Sequence, residues 1–107
     1  MIIKLEDSTF IYAEGGVSGR LLFSSHSHDY LHLRFEPGSQ TNLHSQDQEM
    51  IFFVQSGQGE VKINHETLKV SKGNTIRIEA GSQRQWMNTG TDLLEIFVVK
   101  VKKIQTS

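Results

Sequence analysis

Short segments in which apolar and polar residues alternate run along most of the chain, and turn-forming residues separate them at close intervals. Residues 30–36 are the cleanest case. Leu31, Leu33 and Phe35 fall on one face, with Tyr30, His32 and Arg34 on the other. Breaks come at Gly15-Gly16, residues 24–29, Pro37-Gly38, residues 57–59, 64–66 and 72–74, Gly81-Ser82 and residues 88–92. Between them the pattern predicts strands near 9–13, 19–24, 30–36, 41–45, 49–55, 59–64, 67–70, 75–79, 83–88 and 93–102. Helical periodicity is nearly absent, and no internal repeat or linker is visible. The fold class this predicts is all-β, a sandwich or barrel. His32 is expected outside the barrel or at a subunit contact, with a pocket role left open.

Two segments depart from one-sided alternation. In 49–55, Met50, Phe52 and Val54 share one face while Ile51 and Phe53 lie opposite. If the extended run keeps its register, His44 and Gln46 face the same way as Met50. In 93–102, Leu94, Ile96 and Val98 share a face, and Leu93, Phe97, Val99 and Val101 the other, with Glu95 the one exception. A strand that is apolar on both faces needs cover on both. The barrel core supplies one cover, and a homodimer is the simplest source of the second.

Composition narrows the class. At 107 residues the chain is expected to form one domain, with N-terminal strands in 1–29, a barrel core over about 30–100 and a short polar tail. A net charge of −1 argues against a nucleic-acid partner. With no cysteine there is no disulfide frame and no thiolate chemistry. The opening MIIKLEDSTF has too short an apolar run and too early a charge for a signal peptide. No segment approaches the ~20 apolar residues of a membrane span. The expectation is a cytoplasmic protein without a membrane partner. Lys100, Lys102 and Lys103 read as a solvated strand end, and the last residues are expected to fray.

Several candidate motifs carry little chemistry. The glycine-containing segment 14–20 lacks the helix start and lysine of a phosphate loop. His26 and His28 form a His-x-His in what reads as a hairpin turn, and two histidines alone make an incomplete metal site. His65 falls at the tip of a hairpin and is expected to be exposed.

The spacing of glycines and His44 is more specific. Gly38, five residues, His44, then a strand ending at Gly57 resembles the first motif of the cupin family. That motif runs Gly, five residues, His-x-His, three or four residues, Glu, six residues, Gly. Gly73, Gly81 and Asn88 match the second motif, which runs Gly, five residues, Pro-x-Gly, two residues, His, three residues, Asn. The resemblance covers about residues 30–100 and implies a cupin-type jelly-roll β-barrel. In many cupins two histidines and a glutamate of the first motif, with a histidine of the second, hold manganese, iron, zinc or nickel. Carried over by position, those four are His44, Gln46, Met50 and Arg84 here. Only His44 is a good ligand. A thioether suits soft ions, and a guanidinium offers no lone pair. The expectation is therefore no metal cofactor. The alternative is a divalent metal on His44 and Gln46, with Glu49 brought in by a bulge.

What remains is a guanidinium, an imidazole and a carboxamide in a barrel walled by Met50, Phe52, Trp86 and Ile96. Arg84 suits a carboxylate or phosphate, and Trp86 is placed to stack on a ring or on the guanidinium itself. A buried guanidinium is costly without a counter-charge, and Glu49, Glu79 and Glu95 are assigned to other faces or to turns. The small-molecule ligand expected is an anionic metabolite, such as a sugar acid or keto acid. The competing structural reading pairs Arg84 with an internal carboxylate and lets Met50 fill the space. Three function classes stay open: a metal-free binding protein; an isomerase, epimerase, decarboxylase or lyase using His44 as its catalytic base; and an inert dimeric module.

Overall fold

The computed structural model describes residues 1–103 as two antiparallel sheets. The strands are β1 (Thr9–Glu14), β2 (Val17–Ser24), β3 (His28–Phe35), β4 (His44–Ser45), β5 (Met50–Ser56), β6 (Gln58–Ile63), β7 (Glu66–Ser71), β8 (Thr75–Ile78), β9 (Gln83–Met87) and β10 (Leu94–Val101). A six-stranded sheet runs β1-β2-β3-β10-β5-β8, and a four-stranded sheet runs β4-β9-β6-β7. This is the jelly roll expected from the turn spacing. The strand expected at 41–45 is cut back most, pairing regularly only over β4. Side chains supplement the remaining backbone bond from the Thr41 amide to the Trp86 carbonyl, as Thr41 Oγ1 accepts from the Trp86 amide at 2.9 Å and Gln85 Nε2 donates to the Thr41 carbonyl at 2.9 Å. Residues 104–107, expected to fray, lie outside the described residues.

The alternation buries the faces it predicts. Phe52, Val54, Leu94, Ile96 and Val98 from the large sheet meet Val61, Val70 and Trp86 from the small one in a single core. Phe52 and Trp86 join the two sheets, with ring centroids 4.8 Å apart. Two motif residues serve this frame. Gly57 has φ +85°, and a Cβ there would run into the Leu93 carbonyl, so only glycine fits the turn. The buried Asn88 carboxamide donates to the carbonyls of Phe35 (3.0 Å) and Asp92 (2.8 Å) and accepts from the Gly90 amide (2.9 Å).

The outer face of the large sheet keeps an apolar strip. Phe53 lies opposite Phe97 in register, and Ile51 opposite Val99. Phe53 is 41% exposed. His32 points to this outer face as expected, but it is buried, with Nε2 3.8 Å from Glu95 Oε2. It takes no part in the pocket described below. Arg20 ties the N-terminal segment to the same face by donating to the carbonyls of Leu5 (3.1 Å) and Ser8 (2.8 Å). His65 is exposed at the tip between β6 and β7, and His26 is exposed in the turn before β3.

Candidate functional site

A cavity of about 390 Å³ opens between the sheets, and it gathers the residues that the two motifs single out. His44 and Arg84 face each other across the β4–β9 pair. Met50 and Phe52 reach the cavity from β5, Trp86 from β9, and Gln46 from the segment between β4 and β5. Each is placed by strand parity: 84 and 86, 50 and 52, 44 and 46 lie two apart and share a face. All six predicted site residues therefore line one space. Ile96 does not. It is fully buried in the core, paired with Val54 and Leu33 in the ladder.

Arg84 is 2% exposed. Its Nη2 donates to Met50 Sδ at 3.0 Å, a weak acceptor for a charged donor. The guanidinium carbon stands 5.9 Å from the Phe52 ring centroid, so its aromatic neighbour is Phe52 and not the expected Trp86. Burial pushes its pKa below the usual guanidinium value. Among the described residues no carboxylate pairs with it. The three acids considered as counter-charges, Glu49, Glu79 and Glu95, are engaged elsewhere or exposed. Glu49 grips Arg77 from two oxygens, at 2.8 and 3.2 Å. Glu79 meets Arg77 at 3.2 Å, and Glu95 lies beside His32.

Two further buried polar atoms on the cavity-lining side chains have no hydrogen-bond partner, Gln46 Oε1 and Trp86 Nε1. Buried polar groups are ordinarily satisfied, so two unpaired polar atoms beside a guanidinium held only by a thioether form a ligand-ready constellation. His44 sits at the exposed rim, its Nδ1 2.9 Å from the Asn42 carbonyl. A carbonyl only accepts, so in neutral imidazole this contact puts the proton on Nδ1 and leaves the Nε2 lone pair free.

The donor set does not fit a resident metal ion. Gln46, Met50 and Arg84 stand at three of the four positions carried over from the family pattern, and Glu49 is turned outward onto Arg77. Among the described residues no group of three or more His, Cys, Asp or Glu side chains is arranged to hold an ion. His26 and His28 gain no third ligand, and His28 Nδ1 lies 2.7 Å from Ser27 Oγ.

Sequence reasoning missed the wall opposite Arg84. Ile11 and Tyr12 of β1, Val17 and Gly19 of β2, and Leu31 and Leu33 of β3 also line the cavity, as do Thr41 and Asn42. The inward face of residues 30–36 was readable from its alternation. The β1 contribution was not, because a bulge between Phe10 and Tyr12 breaks the parity there.

Fold and site together define a jelly-roll barrel whose motif positions converge on an interior cavity. The chain belongs to the cupin family, whose Cupin domain model matches residues 31–100. Solved structures agree on the fold. A predicted oxalate decarboxylase from Thermotoga maritima superposes with a TM-score of 0.85 at 19% identity, covering 96% of this chain and 100% of that one. KdgF from Halomonas sp. gives 0.82 at 15%, covering 96% and 94%. The polyketide cyclase RemF from Streptomyces resistomycificus gives 0.81 at 18%, covering 100% and 87%. At these identities the likeness is one of fold. No curated protein matches the chain in sequence. The described residues contain no helix long and apolar enough to cross a membrane.

Proposed function

We propose that this cupin binds a small anionic metabolite in its barrel without a metal ion, with Arg84 as the anion anchor. The observation that carries the reading is a guanidinium 2% exposed with no carboxylate partner among the described residues. Such a charge strongly favours an anion that enters the cavity, since pairing offsets its desolvation. A sugar acid or keto acid has the required carboxylate. Gln46 and the Trp86 indole N–H are placed to bind polar atoms beside it, and Met50 and Phe52 to pack on its body. A thermal-shift screen of carboxylates and their neutral amides tests this. A carboxylate at a hundredfold excess over its dissociation constant should stabilise the fold by ~2.7 kcal/mol. Stabilisation by the amides as strong as by the acids would defeat the proposal.

One observation favours a second reading. The free Nε2 implied by the Asn42 contact of His44 is the form needed for a general base. His44 would take a proton from the carbon next to the ligand's keto group, or next to the carboxylate of an acid that has no keto group there, while Arg84 stabilises the enolate that forms. Exchange of that hydrogen for deuterium in heavy water, lost in His44→Gln, separates an enzyme from a carrier. We place the protein in the cytoplasm as a homodimer. The absence of cysteine is compatible with a reducing compartment, and the dimer rests on the apolar outer strip.

A further inference from the structure

The two walls of the cavity differ in chemistry. Arg84, Gln46 and the Trp86 indole N–H all come from the side formed by β4, β9 and the segment after β4. The wall supplied by β1–β3 is Ile11, Val17, Leu31 and Leu33 around Gly19, with Tyr12 the one polar exception. The Tyr12 hydroxyl lies 3.5 Å from Glu14 Oε2. The backbone of β2 and β3 is paired on both sides, that of the edge strand β1 on its β2 side only, and the side chains of this wall, Tyr12 apart, offer no hydrogen-bond partner. A ligand hydroxyl pressed against it loses water and gains no partner.

Building on the anion-binding reading, we propose that the ligand is a carboxylate with an apolar body, aromatic or branched aliphatic, and not a polyhydroxylated sugar acid. Its carboxylate lies against Arg84. Any second polar atom stays at that end, within reach of Gln46 or the indole N–H. The body points to the β1–β3 wall. The bulge between Phe10 and Tyr12 brings both Ile11 and Tyr12 to the cavity, so these two residues set which bodies fit. A Cβ at Gly19 would crowd Leu33 at 3.2 Å, while meeting Tyr12 and Ile11 only at ordinary contact distances of 3.7 and 3.8 Å.

Isothermal titration of the full chain with phenylpyruvate, 4-methyl-2-oxopentanoate, D-gluconate and D-galacturonate tests the assignment, with Arg84→Met and Ile11→Ser alongside. Ile11 is 55% exposed on an edge strand, so its replacement leaves the core intact. The two apolar-bodied acids should bind about ten- to a hundredfold more tightly than the sugar acids, with Ile11→Ser narrowing that gap. Sugar acids that bind as tightly as the others, and only when Arg84 is present, would overturn the ligand class and leave the anion reading standing. A gap unchanged in Ile11→Ser would overturn the role given to the β1 wall. If no acid binds, or all bind equally well to Arg84→Met, the anion reading fails and this inference fails with it.

Discussion

The guanidinium of Arg84 donates to the thioether of Met50 at 3.0 Å inside the barrel. A charged donor is thus matched with a neutral, weakly accepting sulfur where the family pattern has a histidine and a glutamate. Each substitution makes the other intelligible. A cation in the place of a metal ligand repels metal, and an apolar side chain in the place of the glutamate leaves that cation free to meet an outside anion.

Arg84→Met should therefore fold. Removing an uncompensated buried charge leaves stability unchanged or raises it, by up to about 4 kcal/mol if it behaves like replaced buried ion pairs. The same variant should lose all stabilisation by carboxylates. Melting curves with and without ligand check both halves. A variant much less stable than the empty wild type would show that Arg84 is a structural strut.

Much of this was readable in the chain because alternation reports directly on strand faces. Leu31, Leu33 and Phe35, or Met50, Phe52 and Val54, follow from parity alone, and all of them face inward. The glycines and Asn88 fixed the order of the turns. Depth along the barrel was less legible. Ile96 shares the inward face yet lies too deep in the core to reach the cavity. Bulges were not legible either, since the register shifts at Phe10/Tyr12 and at Leu21/Phe23 reverse parity with no residue type that announces them. Burial on the outer face escaped sequence reasoning for a different reason. His32 is covered by neighbours that the topology, not the local pattern, brings beside it.

The donor set also makes a prediction about metal. Wild-type protein purified without an affinity tag should carry far less than one equivalent of manganese, iron, zinc or nickel by elemental analysis. Because all four family positions line one cavity, the triple variant Gln46→His, Met50→Glu, Arg84→His should gain about one zinc per chain. One equivalent of metal in the wild type would sink the metal-free proposal.

His32 should make stability depend on pH. Burial lowers its pKa in the fold below the ordinary 6.5, opposed by Glu95 and reinforced by the charges of Arg34 and Arg20. Between that lowered value and 6.5 the unfolded chain binds more protons than the folded one, so stability rises with pH. The His32 contribution is complete above about pH 6.5 and is lost as the pH falls below it toward the folded-state value. Denaturant midpoints measured from pH 5 to 8 should show this slope in the wild type and a shallower one in His32→Phe. Equal slopes would remove His32 as the cause.

The last prediction concerns assembly. On the outer face of the large sheet, Phe53 and Phe97 are register partners, as are Ile51 and Val99. Tyr30 stacks on Phe97 at 6.4 Å, and Phe23 lies 6.0 Å from Tyr30, so the strip runs across four strands. Phe53 is 41% exposed although it sits at the middle of a core-forming strand. A second copy of the chain laid on this face would cover it, and a stable interface of that kind buries about 800 Å² per partner. Light scattering should find a dimer at micromolar concentration. Phe53→Glu should shift it to monomer, since a buried aromatic at such a centre contributes about 2 kcal/mol or more. The substitution points away from Phe52 and Val54, so each monomer should keep its fold. A wild-type monomer under these conditions would defeat the proposal, and so would a dimer that Phe53→Glu leaves unchanged.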